Sequence, residues 1–162
     1  MTTTNVDTEI RKLVEALNQQ GKGIPMTIHE INDDLPYAIF SDLLRDFKSG
    51  NAQLLRFSYA MDSSLFSMLA STSDSIKSNL GLFISYGGIL AVIIASFIYS
   101  WWLLFAVPVA FVVGSSITKN AYNNAIFNAA FTSEIAFCFL YFIRQVSVYI
   151  PKINKQFYYQ SE

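Results

Sequence analysis

Two residue types on which much enzyme chemistry depends are nearly missing. The 162 residues contain one cysteine, Cys138, and one histidine, His29. A lone cysteine rules out an intrachain disulfide framework and a thiolate metal cluster, and in an apolar run it reads as a small buried hydrophobe rather than a nucleophile. A serine triad would need His29 as its base, and no G-x-S-x-G elbow accompanies it. His29-Glu30-Ile31-Asn32-Asp33 has the form H-E-x-x-D and lacks the second histidine of a zinc-binding helix. Gly21-Lys22-Gly23 fits neither common phosphate-cradling pattern. The expectation is a non-enzymatic chain with no catalytic residues, metal or cofactor.

Charge is scarce as well. Only 14% of residues are charged, against about a quarter in ordinary domains, and the 41 residues 78–118, between Lys77 and Lys119, carry no ionised side chain. The remaining bases are too scattered for a nucleic-acid stripe, so no nucleic-acid partner is expected. What is abundant is apolar surface: 52% of residues are hydrophobic and the mean hydropathy is +0.35. Residues 1–76 hold ten acids and six bases, residues 77–162 two acids and five bases, so the two halves suit different surroundings.

One membrane span needs about 20 apolar residues. Leu80 to Tyr99 would reach about 30 Å as a helix, and Trp102 to Ile117 about 24 Å, which is short for a full crossing. Tyr99, Trp101 and Trp102 lie between them, where aromatic rings suit the headgroup level as interface anchors. The reading is a two-helix transmembrane hairpin, about 80–99 and 102–117, with its turn around Ser100; one long tilted span and a re-entrant hairpin are the alternatives. Lys77 and Lys119 flank it on one side, and Arg144, Lys152 and Lys155 follow. The positive-inside rule then puts both termini in the cytoplasm; a bacterial inner membrane is the expected location. The first twenty residues have no apolar core of a signal peptide, so the hydrophobic stretch is expected to act as an internal anchor. Gly87, Gly88 and Ala91 offer a small surface for helix packing, Pro108 is expected to kink the second arm, and neither arm shows a polar stripe of its own.

Around this stretch the spacing predicts helices throughout. Val6, Ile10, Leu13, Val14 and Leu17 form one apolar face, ended by Gly21 and Gly23. Thr27-x-x-Glu30 has the form of a capping box. Asp33 and Asp34 ahead of Pro36 predict the start of a helix with the stripe Phe40, Leu43, Leu44 and Phe47, stopped by Gly50. Leu54, Phe57, Met61, Leu65, Met68, Leu69 and Ile76 predict one longer helix over Gln53 to Ile76. After the hairpin, Asn120, Asn124 and Asn128 recur at i+4, opposite Ala125, Ala129, Ala136, Leu140 and Ile143, predicting one long helix from Ala121 to about Tyr149. Glu134 in its middle argues against a third span, because a central carboxylate costs a few kcal/mol there (~2.5–3.5 on insertion scales).

The expected architecture is an all-α membrane protein with a cytoplasmic helical domain (1–77), a transmembrane hairpin (78–118) and a C-terminal long helix and tail (119–162). That layout resembles the small two-span effector domains of bacterial anti-phage systems, a likeness of architecture that carries no shared motif. Two functions fit. In one, a self-associating membrane protein acts as an anchored interaction or scaffold module, with lipids, copies of itself and a cytoplasmic protein as partners. In the other it is an oligomeric pore-forming or membrane-disrupting effector, the class the resemblance implies. In both, Asn120, Asn124, Asn128 and Glu134 form the oligomer or pore seam, unless the asparagines are only the wetted face of an interfacial helix.

Overall fold

The computed structural model describes residues 3–31, 35–57 and 63–160. Among them the chain is mostly helical, with six α-helices and a three-stranded antiparallel sheet. Two compact units emerge: Met1–Leu69 with Ile126–Glu162, and Ala70–Ala125.

In the first unit, helix α1 (Thr3–Gln19) buries Ile10 and Val14 completely, with Val6, Leu13 and Leu17 half-buried beside them. It ends before Gly21, whose φ of +80° is a left-handed turn that glycine adopts without a Cβ clash. Asn18 then fastens the loop: its amide donates to the Ile24 carbonyl at 2.9 Å and accepts from the Ile24 N–H at 2.6 Å. The predicted capping box at Thr27 does not form. Glu30 accepts from the Met26 N–H at 2.8 Å and from the Thr27 hydroxyl at 3.1 Å, while Thr27 caps nothing, and only a single 3-10 turn, Ile28–Glu30, follows. Helix α2 (Phe40–Ser49) starts later than Pro36, after an extended Ile39. The Tyr37 hydroxyl donates to Asp46 at 2.9 Å, drawing the preceding strap back along the helix. Gly50 stops α2 in the left-handed conformation, as the sequence predicts. Asp33, Asp34 and Met61 lie outside the described residues.

The all-α expectation is corrected at two places. Gln53–Arg56 is not the start of a helix but strand β1, and Val146–Ile150, expected inside the long C-terminal helix, is strand β2; Lys155–Phe157 is β3. The order is β1-β2-β3, antiparallel throughout, with Gln53 opposite Tyr149 and Arg56 opposite Val146. The long segment Gln53 to Ile76 is therefore β1, helix α3 (Ser63–Leu69), and then a new helix.

The long C-terminal helix breaks for two local reasons. At Ser133 the backbone is extended, and the side chain caps a fresh helix, α6 (Glu134–Phe142), by accepting from the Ala136 N–H. At the other end Arg144 adopts φ +55°, with its N–H bonded to Tyr141 O and the Gln145 N–H bonded to Leu140 O. This is the Schellman pairing with arginine where glycine is usual. It turns Val146-Ser147-Val148-Tyr149-Ile150, rich in β-branched residues, into the middle of the sheet. Residues 135–141 are all buried, as befits a helix apolar on every side. Its Phe137 ring lies 5.9 Å from Phe40 and 5.8 Å from Tyr141.

The second unit holds α4 (Thr72–Ile98) and most of α5 (Trp101–Thr132), a hairpin-like pair of apolar helices. Ser71 and Asp74 make a complete capping box at the start of α4. Tyr99 and Ser100 form the turn, where the aromatic cluster predicts it.

Candidate membrane hairpin and asparagine face

Both helices are long and apolar enough to cross a membrane, and both outrun the expected spans 80–99 and 102–117 at their polar ends. Core helices of soluble proteins are mostly buried. Here only 17% and 11% of the apolar windows are buried.

The side of the hairpin that is buried is its small and hydroxylic side. Ser78, Gly81, Ser85 and Ser96 are buried along α4, so this arm does carry a polar stripe, and the expectation that neither arm has one is corrected. Ser85 sits in a π-helical turn, Phe83–Gly87, and is only 3% exposed. A methyl group on Gly81 would lie 2.7 Å from the Gly114 carbonyl oxygen, and one on Gly114 would lie 2.5 Å from the Gly81 carbonyl oxygen and 2.6 Å from the Ser85 nitrogen. Backbones this close admit no Cβ on either helix. The Thr118 hydroxyl donates to Gly114 O at 3.1 Å and that of Ser96 to Ile93 O at 2.6 Å, so both are satisfied within their own helices.

The sequence reading missed this crossing, although Gly81-x-x-x-Ser85 and Gly114-x-x-x-Thr118 are both small-xxx-small patterns. Of the residues it singled out, Gly88 meets Ala110, with 3.6 Å between a Gly88 methyl and the Ala110 Cβ. Gly87 faces its own helix's Phe83 ring, and Ala91 is exposed. Pro108 falls in the first α-helical turn after the 3-10 segment Trp101–Phe105, where its missing N–H costs little.

The outer face is bulky and apolar. From Ile76 to Val113, eighteen large apolar or aromatic side chains are exposed, Phe97 the most at 87%. Tyr99, Trp101 and Trp102 are exposed together at the turn, with Trp101 6.1 Å from the Phe105 ring.

Asn120, Asn124 and Asn128 form an exposed row along α5, extended by exposed Ser116 and Thr132, while Ala121, Ala125 and Ala129 are buried opposite. Glu134 does not continue the row. It lies beyond the Ser133 break, and its Oε1 accepts from the Ile28 N–H at 2.8 Å. Nearby the Ser133 hydroxyl bonds to Asp7, whose other oxygen is 4.0 Å from Arg11. These groups line an open cleft of about 600 Å³ with Met26, Thr27 and Ile135. Its acids hold neighbouring segments together, a role that no spacing in the sequence signals.

Elsewhere, His29 and Glu30 are exposed, and the described residues contain no group of three metal-binding side chains. Cys138 is fully buried, and burial, then the negative charges of Glu134 and Glu30, push its thiol pKa up. Comparison with protein-family models, with curated proteins and with solved structures gave no match to this chain.

Proposed function

We propose that the protein is a self-associating integral membrane protein, non-enzymatic, whose hairpin anchors an interaction module at the cytoplasmic face of a bacterial inner membrane. The observation that carries this reading is the inverted hairpin, with serines and glycines inside and eighteen large apolar side chains outside. Leaving that surface in water would forgo on the order of 20 kcal/mol of burial. Acyl chains remove the cost, and Ser116 to Asn128 then emerge on the lysine side of the membrane.

The asparagine row is the surface through which copies associate. An amide donates and accepts, so one such row complements another, each interhelical bond contributing about 0.6–2 kcal/mol. The unit containing α1, α2, α6 and the sheet presents the face for a cytoplasmic protein partner. A pore-forming or membrane-disrupting effector is the second reading, favoured by the same exposed amides.

The test is reconstitution into dye-loaded liposomes beside sizing in mild detergents. Expected are tight vesicles and a defined oligomer that the double variant Asn124→Leu, Asn128→Leu disrupts. Leakage that this variant abolishes while still oligomerising would establish the pore instead. A monomer in every detergent would remove self-association.

A further inference from the structure

We propose that the turn joining β2 and β3, Pro151 to Lys155, is a second membrane-contact site that docks on an anionic lipid surface. Ile153 enters the headgroup layer, and Lys152 and Lys155 meet the lipid phosphates.

Ile153 is 57% exposed at the tip of a β-hairpin whose strand residues Val148, Ile150 and Phe157 are buried. Lysines flank it on both sides. Neither is in an ion pair with a described residue, and residues 135–160 contain Arg144, Lys152 and Lys155 but no acid. The turn is held rigid. Pro151 opens its 3-10 turn, Asn154 closes it at φ +49°, and the Tyr149 hydroxyl donates to Asn154 Oδ1 at 2.8 Å. The Lys155 ammonium sits 4.7 Å from the Phe157 ring. A preorganised tip loses little freedom on docking.

The shape selects lipid over protein. A stable protein interface covers about 800 Å² on each partner, whereas this is one aliphatic side chain on a convex turn between two cations. A fluid headgroup layer yields around such a tip, and its phosphates match the lysines. The proposal leans on the anchoring hairpin only for bringing the chain to a bilayer.

The experiment uses the full chain with Cys138→Ser and Ile153→Cys, an environment-sensitive fluorophore on the new thiol, in nanodiscs of phosphatidylcholine alone or mixed equally with phosphatidylglycerol. Blue-shifted emission, quenched by lipids brominated near the headgroup, is expected in the mixed discs. Because one lysine at an anionic surface contributes about fivefold, Lys152→Gln with Lys155→Gln should lower the ratio of docked to free tip by more than about tenfold. Lys152→Gln alone, which spares the Phe157 contact, should lower it about fivefold.

Water-like emission in both lipids overturns the proposal, as does equal docking on phosphatidylcholine. A shift caused by added polyglutamate, and not by phosphatidylglycerol, overturns it in favour of an acidic protein. Trp101 and Trp102, the chain's two tryptophans, report separately on the hairpin through lipids brominated along the acyl chain. Quenched tryptophans with an aqueous tip overturn the turn alone; unquenched tryptophans with a docked tip remove the anchor and leave the turn standing.

Discussion

At the scale of single residues, the sharpest constraints are absences of atoms. Gly114 has no Cβ because Gly81 and Ser85 occupy the space. Gly114→Ala should therefore destabilise the hairpin by about 1–3 kcal/mol, the usual range for overpacking, read as thermal unfolding by circular dichroism in micelles. Gly87→Ala is the control, since its methyl would meet only the mobile edge of the Phe83 ring at 3.3 Å. Tyr37 supplies a second test. Burial, and then the hydrogen bond and charge of Asp46, raise its pKa from about 10 to about 12. The folded state thus prefers the protonated phenol. That contribution is complete below pH 10 and is lost as the pH rises through the interval to about 12. In Tyr37→Phe this part of the alkaline loss should be absent, which pH-dependent denaturant titrations would detect.

At the scale of elements, the break at Ser133 separates two helices that the hydrophobic spacing would join. Ser133 caps α6 and bonds to Asp7 of α1, while Glu134 accepts from Ile28. Removing the cap with Ser133→Ala should cost about 1 kcal/mol. Asp7→Ala acts on the same bond, so the double variant should cost less than the sum of the two, the mark of direct coupling in a double-mutant cycle. Strict additivity would mean that the two side chains act independently. The C-terminal end of α6 was illegible for a related reason. Helix ends are usually announced by glycine, and here the left-handed position is Arg144. By contrast Gly50 was legible at once, because its conformation and its identity agree.

At the scale of the molecule, the anchored reading predicts a topology. A probe thiol at Ser100 should react with an impermeant reagent from outside sealed cells, in a chain with Cys138→Ser, while one at the exposed Ser73 should react only after the membrane is opened. Labelling in the reverse order would place the turn on the cytoplasmic side, and no labelling at Ser100 without permeabilisation would favour a re-entrant hairpin. The chain-return geometry gives the first unit its coherence. Ile126–Glu162 folds with Met1–Leu69, so β1 finds β2 across almost ninety intervening positions, as in the bond from Arg56 to Gln145 at 3.1 Å. Such long-range pairings are closed entropically by whatever holds the intervening segment compact, here the tight helical hairpin.

The chain's composition and spacing were enough to specify the paired apolar helices, their turn at Tyr99–Ser100, the amphipathic α1 and the glycine stop of α2, because each depends on neighbours within a few positions. An uncharged run of 41 residues, 78–118, has few other ways to exist. The row Asn120, Asn124 and Asn128 was likewise legible from i+4 spacing alone. Tertiary contacts decided the rest. Gln53–Arg56 continues a helical spacing toward Ile76 and is a strand because Val146–Ile150, whose β-branched residues alternate, supplies its hydrogen-bond partners. Gly81 and Gly114 matter only because the two helices cross there. Glu134 accepts from a backbone N–H more than a hundred residues away, at Ile28. A polar group's partner is set by what folding brings within about 3 Å of it, and separation along the chain carries no trace of that.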